Sequence, residues 1–161
     1  MPGTRLFVAV WPPPAVVDAV AALPIDESDA VRRSTPDQLH ITLRFLGSVS
    51  PVQSVVDALR TVAHEPIDIE LGPATRRLGP GVLMVPARGL DSLAAALPLP
   101  ADRAFTGHLT VARARNRRQV PRSFEGLPLR AAWRATSFAL VRSQTKPTGA
   151  VYDDVAVFSL A

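Results

Sequence analysis

Hydrophobic and polar positions divide the chain into short apolar runs that are separated by proline, glycine and polar segments. Apolar runs bounded by turn residues predict β-strands, and these runs cover residues 5–11, 31–34, 39–46, 67–71, 75–78, 82–85, 107–113, 127–135, 136–143 and 152–160. Apolar stretches that follow proline or contain mainly alanine predict helices, over residues 15–23, 51–63 and 90–97. No linker or low-complexity segment interrupts this pattern, so we expect a single domain over residues 1–161.

The order of these elements contains a weak internal repeat. The strand at 5–11, a helix and the sequence HITLRF form one unit, and the strand at 82–85, a shorter helix and the sequence HLTVAR form another. A duplicated strand–helix–strand unit predicts two pseudo-symmetric lobes whose equivalent strands meet at a shared cleft.

Each copy of the repeat contains the same motif, a histidine and a threonine each followed by an aliphatic residue. The motif reads HITL at 40–43 and HLTV at 108–111. Residues i and i+2 of a strand share one face, so His40 and Thr42 point to one side, as do His108 and Thr110. The aliphatic residues then face the core. Because the chain has only three histidines and two occupy this setting, the pattern favours a catalytic pair over two half-buried structural histidines.

Two imidazoles and two hydroxyls suit phosphoryl transfer. One imidazole can take the proton of the incoming oxygen while the other protonates the leaving oxygen, and histidine serves both roles near neutral pH. The hydroxyls can donate to the non-bridging oxygens as charge develops there. Repulsion between the imidazoles would separate their titrations, so that one is neutral while the other is protonated. Two histidines without a well-placed carboxylate are an incomplete metal site, so we expect no metal and no other cofactor.

Composition and charge narrow the possible functions. The chain has no cysteine, which excludes a disulfide scaffold, a cysteine-ligated metal and a thiol nucleophile. Its 18 lysines and arginines exceed its 14 acidic residues, for a net charge of +4. This balance favours a polyanionic partner, although the arginine-rich composition of a high-GC genome would give the same excess. The N-terminal sequence lacks the features of a signal peptide, and no apolar run approaches the roughly 20 residues of a membrane span. We therefore expect a cytoplasmic monomer with no membrane partner.

The sequence resembles the 2H phosphoesterase superfamily, and within it the RNA 2′,3′-cyclic phosphodiesterases, also called LigT-like 2′-5′ RNA ligases. The resemblance is carried by RLFVAVWPP at 5–13, QLHITLRFLG at 38–47, FTGHLTVARAR at 105–115 and FALVRSQTKPTGAVYDDVAVFSL at 138–160. It implies an α+β fold that is bilobal and pseudo-two-fold, with two antiparallel sheets flanking a central cleft and helices outside.

The resemblance also implies an activity and a role for each histidine. The implied reaction is hydrolysis of 2′,3′-cyclic phosphate ends of RNA or nucleotides to 2′-phosphomonoesters, together with reversible 2′-5′ RNA ligation. In the family the first motif supplies the proton donor and the second the acceptor, so His40 is the expected donor and His108 the expected acceptor. The residues alone leave these two roles open. The alternatives are a relative acting on another cyclic or 2′-5′-linked nucleotide, and a non-catalytic RNA- or nucleotide-binding module.

Four further residues are candidates for substrate binding. Arg44 shares the strand face of the first motif and could contact phosphate, or it could be a solvated residue near the strand end. Arg113 has the parity of the core residues in its strand, which turns it away from the cleft unless a bulge intervenes. Phe7 and Tyr152 could stack on a base, although Phe7 also fits the core.

The chain departs from the family pattern in three places. Gly107 precedes the second histidine where the family usually has proline. Arg33 stands where the family often has an aromatic residue. The segment between Pro86 and Phe105 is short, which predicts a trimmed cleft wall. These departures leave the base preference and the length of the natural substrate open.

Overall fold

The computed structural model describes residues 3–101 and 103–161. Within them the chain forms ten strands, namely β1 (Thr4–Val10), β2 (Val31–Arg33), β3 (Ile41–Val49), β4 (Ile67–Leu71), β5 (Arg76–Arg77), β6 (Val82–Arg88), β7 (His108–Ala114), β8 (Ala131–Ala135), β9 (Ser137–Lys146) and β10 (Gly149–Ser159). The α-helices of these residues are α1 (Pro14–Ala21), α2 (Val52–Arg60) and α3 (Asp91–Ala96), and two single-turn 3-10 helices cover Pro36–Gln38 and Arg122–Phe124. Every predicted strand and helix is therefore confirmed, with ends shifted by a few residues.

One turn differs from its predicted form. The strand predicted to end at residue 46, before Gly47, continues as β3 to Val49. Gly47 lies opposite Leu6 with a φ of +69° next to a register shift, so the glycine accommodates a bulge instead of a strand end. The connection before the last strand is a tight hairpin in which Lys146 pairs with Gly149.

The strands form one curled antiparallel sheet that retains the predicted duplication. Its order is β10-β9-β1-β3-β7-β6-β4-β8, with β2 beside β7 and β5 beside β6. The two repeat units contribute β1 with β3 and β6 with β7, which meet at the centre. The β3–β7 contact is a single residue pair, Ile41 opposite Leu109. The α+β class and the two-lobed arrangement are thus confirmed, and the two expected sheets are the halves of a sheet joined at this pair.

Alternation along β1 places side chains on both faces of the sheet. Leu6, Val8 and Val10 belong to the main hydrophobic core. The intervening Phe7 and Ala9 belong to a second cluster on the opposite face, with Ala139 and Val141 of β9. All three helices add buried apolar residues to the main core. The second face is therefore left to form a cleft.

Among the residues that the structure describes, no helix has both the length and the apolar character needed to cross a membrane.

Candidate active site

The two motif histidines are held in the same way at the centre of the sheet. His40 directly precedes β3, and its Nδ1 lies 2.7 Å from the carbonyl oxygen of Gln38. His108 begins β7, and its Nδ1 lies 2.9 Å from the carbonyl oxygen of Thr106. Because a carbonyl oxygen can only accept, Nδ1 is the protonated nitrogen in both rings. Each imidazole is thus anchored by the residue two positions earlier, and this contact leaves its Nε2 atom available to other partners.

The strand register brings the motifs together. Ile41 lies opposite Leu109. When the antiparallel register is continued by one residue in each direction, the histidine of each motif lies opposite the threonine of the other motif. A cavity of about 360 Å³ opens at this point. It is lined by His40, Thr42, His108 and Thr110 together with Arg5, Leu6, Phe7, Phe45, Gly47, Arg103, Arg113, Ser143 and Tyr152. We call this cavity the cleft.

Aromatic rings surround His40. The ring centroids of Phe7, Tyr152 and Trp11 lie 4.8, 5.1 and 5.9 Å from the His40 ring. Burial in this setting lowers the pKa of His40 from 6.5 to about 4. The Gln38 carbonyl raises this pKa, whereas the charges of Arg113 and His108 lower it further. His40 is therefore neutral at pH 7 in the free protein, and burial outweighs repulsion between the imidazoles as the cause.

The threonine of the first motif contacts its own histidine. The Thr42 hydroxyl oxygen lies 3.0 Å from Nε2 of His40. Since Nδ1 carries the proton of the neutral ring, Nε2 accepts this hydrogen bond and Thr42 donates it. The hydroxyl of Thr42 thus donates to the lone pair of Nε2, the atom that would bind a proton when the ring becomes charged.

A bulge follows each motif and decides which side chains reach the cleft. In β3, Ala9 pairs with Thr42 and Val8 with Arg44, so the intervening Leu43 has no partner in this register. In β7, Val111 is skipped in the same way between Thr110 and Ala112. A bulged residue reverses the alternation of the residues after it. This reversal brings Arg113 to the cleft, because the bulge that its position in the strand required is present. It brings Phe45 to the cleft as well.

The remaining predicted substrate-binding residues have different surroundings. Arg44 donates to the carbonyl oxygens of Ala94 and Leu99, so its guanidinium supports α3 and the segment after it. Phe7 is 4% exposed, and its ring packs against His40, which leaves little of its surface for stacking on a base. Tyr152 is half-buried and lines the cleft edge-on to His40. Direct substrate contact by these three residues remains a prediction.

The cleft is electropositive. Arg5, Arg103 and Arg113 line it, and none of its described lining residues is acidic. The guanidinium of Arg103 lies 5.6 Å from the ring centroid of Phe45, whose side chain is 55% exposed. Sequence reasoning missed Phe45 as a cleft residue, because simple alternation puts it on the core face. The exposed ring of Phe45 and the arginines around it suit an anionic ligand with a flat ring.

A larger, mainly apolar cavity of about 510 Å³ adjoins the cleft beside His108 and Thr42. Its walls include Phe105 together with Ala94 and Ala101, which belong to the short segment between Pro86 and Phe105. Gly107 lies at the edge of this region, where a Cβ atom would clash with the carbonyl oxygen of Ala87. The departure from proline at this position therefore allows β6 and β7 to approach closely.

The possible metal ligands are few. Among residues 3–101 and 103–161, no three histidine, aspartate or glutamate side chains group closely enough to bind a metal ion. The polar groups of the cleft are imidazoles, hydroxyls and guanidiniums, and cationic guanidiniums do not serve as metal ligands.

Comparison with known proteins identifies relatives over most of the chain. Residues 12–147 match the family model of the 2′-5′ RNA ligase superfamily. A protein of Thermus thermophilus named RNA 2′,3′-cyclic phosphodiesterase is 31% identical, over 97% of this chain and 90% of its own. The crystal structure of TT0787, from the same organism, is 30% identical with a TM-score of 0.73, and the match covers 97% of each chain. E. coli LigT complexed with 3′-AMP has a TM-score of 0.79 over 100% of this chain and 99% of its own. At 24% identity, the likeness to LigT shows the fold alone.

Proposed function

This chain belongs to the 2′-5′ RNA ligase superfamily, and from that premise we propose that it hydrolyses 2′,3′-cyclic phosphate ends of RNA or nucleotides to 2′-phosphomonoesters. One observation carries the proposal. Two imidazoles, each held through Nδ1 by the carbonyl two residues earlier, share one cleft with two threonines and three arginines. This set supplies an acid, a base and donors for an anion, which are the groups that hydrolysis of a phosphodiester needs.

The proposed reaction is an in-line displacement at phosphorus. Nε2 of His108 accepts a proton from water as the water oxygen bonds to phosphorus. The bond between phosphorus and the 3′ oxygen breaks, and Nε2 of His40 donates a proton to that oxygen. The products are a 2′-phosphomonoester and a free 3′ hydroxyl. Thr42, Thr110 and Arg113 stabilise the negative charge that collects on the non-bridging oxygens.

The donor role requires His40 to gain a proton when substrate binds. In the free protein the pKa of His40 is about 4, which alone would suit a base. A cyclic phosphate carries a negative charge, and an anion beside an imidazole raises the pKa of that imidazole. We infer that the bound phosphate charges His40, whose proton then moves to the leaving oxygen.

We propose that the reaction uses no metal ion. This part of the proposal is supported by the donor set of the cleft, in which imidazoles and guanidiniums already supply the general acid and the positive charge. We also propose that the natural ligand is an RNA or nucleotide with a 2′,3′-cyclic phosphate and that a monomer binds it, since a single chain supplies both histidines and both threonines of the cleft.

Ligation is a second candidate reaction. If the 5′ hydroxyl of another RNA replaces water, the same displacement forms a 2′-5′ phosphodiester and releases the same 3′ hydroxyl. The 510 Å³ cavity beside His108 favours this candidate, because it adjoins the side from which the base activates the nucleophile.

Phosphorus NMR tests the proposal. The protein is incubated with the four nucleoside 2′,3′-cyclic phosphates in EDTA, beside the His40→Ala and His108→Ala variants. We expect the wild type alone to form 2′-phosphates. A 3′-phosphate product would contradict the proposed bond cleavage, and a requirement for zinc or magnesium would contradict metal independence. Binding without turnover would identify a non-catalytic module, whereas turnover only of other cyclic or 2′-5′-linked nucleotides would identify a different specificity.

A further inference from the structure

Two arginines face each other beside the cleft, and neither has a counter-ion among the residues that the structure describes. Arg32 of β2 lies directly opposite Arg113 of β7. Like charges in directly opposed positions of an antiparallel pair destabilise a sheet. Within the described part of the chain, neither guanidinium forms a salt bridge, whereas other arginines do, among them Arg60, Arg77, Arg88, Arg115, Arg134 and Arg142. The unbalanced pair indicates a place for an anion.

Both arginines line a small cavity next to the cleft. It has a volume of about 120 Å³ and is also lined by Arg33, Ser34, Gln38, His40, Thr110, Ala150 and Tyr152. No carboxylate is among these lining residues. Sites for drug-sized ligands span about 300–1,000 Å³, so this space suits a single tetrahedral anion better than a base or a sugar. We call it the arginine pocket.

Local contacts fix Arg32 at the pocket. The guanidinium of Arg32 donates from Nη2 to the carbonyl oxygen of Thr148 in the β9–β10 hairpin. Gly149 leaves room for it, since a Cβ atom there would clash with the guanidinium. A guanidinium has five N–H donors, so most remain for a ligand. By contrast, the guanidinium of the neighbouring Arg33 donates hydrogen bonds to carbonyl oxygens at the end of α1, including those of Val20 and Leu23.

The position of the pocket relates it to the substrate. It shares His40, Thr110, Arg113 and Tyr152 with the cleft but not His108, so it lies on the His40 side of the reaction centre. In the proposed reaction His40 protonates the 3′ oxygen of the ribose, which places the ribose on that side. The next anion of the substrate is the phosphate on the 5′ oxygen of that same ribose.

We propose that the arginine pocket binds this 5′-phosphate, with Arg32 as the residue that selects for it. The inference rests on the proposed function. It makes the preferred substrate class RNA ends and 5′-phosphorylated cyclic nucleotides, in which the terminal ribose carries a second phosphate. Cyclic nucleosides without a 5′-phosphate are the poorer class. The preference would come from hydrogen bonds between the Arg32 guanidinium and the 5′-phosphate, since hydrogen bonds between charged groups are stronger than neutral ones.

The test compares two substrates that differ only in this group, adenosine 2′,3′-cyclic phosphate with and without a 5′-phosphate, at one ionic strength. We expect the wild type to prefer the phosphorylated form by about tenfold in kcat/KM, as one charged hydrogen bond of about 1.5 kcal/mol would give. In Arg32→Gln this ratio should fall towards one. Arg130→Gln removes the same charge from an exposed residue just before β8 and should keep the wild-type ratio.

A binding measurement gives a second readout that needs no turnover. Calorimetry with adenosine 2′,5′-bisphosphate and adenosine 2′-phosphate should show the same preference in the wild type and its loss in Arg32→Gln. Hydrolysis of both substrates with an equal ratio in wild type and Arg32→Gln would overturn the inference and leave the proposed function intact. Failure of the wild type to hydrolyse either substrate would overturn both.

Discussion

Ile41 lies directly opposite Leu109 at the junction between β3 and β7. Both side chains are fully buried, and each directly follows a motif histidine. The hydrophobic core therefore sets the junction, and the two imidazoles enter one cleft from the two halves of the sheet. This arrangement is the basis for treating His40 and His108 as a single reaction centre.

The threonines should act on the transition state. Replacing Thr42 or Thr110 with valine keeps the β-branched shape and removes one hydroxyl donor. We expect turnover to fall on the order of 10²-fold in each variant. The free energy of unfolding should change little in Thr110→Val, whereas Thr42→Val also removes the hydrogen bond to the buried His40 and should cost about 1 kcal/mol. Steady-state kinetics on a cyclic nucleotide, with Thr145→Val on the exposed end of β9 as the control, measure the loss. Near-normal turnover in both variants would show that the threonine hydroxyls do not stabilise the transition state and that these residues serve only to form the strands.

Burial of His40 should make stability depend on pH. The pKa is about 4 in the folded protein against 6.5 in the unfolded chain, so between these values the unfolded state binds the extra proton. Above about pH 6.5 the His40 imidazole is neutral in both states, and the free energy of unfolding has its full value. As the pH falls from 6.5 towards 4, the unfolded chain binds the proton more readily than the folded protein does, so the free energy of unfolding decreases. Urea unfolding should show that His40→Gln loses about 1–2 kcal/mol less than the wild type between pH 7.5 and pH 5. Equal losses in the two proteins would place the pKa of His40 near its ordinary value.

The charge of Arg113 should be visible in the titration of His40. Burial is the main cause of the lowered pKa, and Arg113 lowers it further. We therefore expect NMR titration of Arg113→Gln to give a higher pKa for His40 than in the wild type. The same change should raise KM, since it removes a cation from both the cleft and the arginine pocket. An unchanged pKa would show that Arg113 lies farther from His40 than the bulge after Val111 implies.

The proton-transfer roles can be separated with a substrate whose leaving group needs no protonation. A 3′-deoxynucleoside 2′-(4-nitrophenyl phosphate) releases nitrophenolate without help from an acid, and it lacks the 3′ hydroxyl that could displace nitrophenolate in place of water. His40→Ala should recover most of its lost rate on this substrate, whereas His108→Ala should stay inactive because water still needs a base. Recovery by His108→Ala alone would reverse the two roles.

The sequence predicted most of the fold because its strands are marked by apolar runs and by the repeated motif. The convergence of His40 with His108 followed from that repeat. Alternation alone misplaced Phe45 and left Arg113 in doubt, because bulges at Leu43 and Val111 reverse the faces of the residues after them. Arg32 could not be found from the pattern, since its surroundings come from the β9–β10 hairpin, 116 residues later at Thr148.

The most direct measurement is the turnover of a 2′,3′-cyclic phosphate by the wild type, His40→Ala, His108→Ala and the double variant, each shown to be folded by circular dichroism. Loss of either proton-transfer partner should reduce turnover by about 10²–10⁴-fold. Because two groups that act in one step are not additive, the double variant should be scarcely slower than the slower single variant. Losses that multiply in the double variant would contradict the claim that the two imidazoles serve one reaction centre.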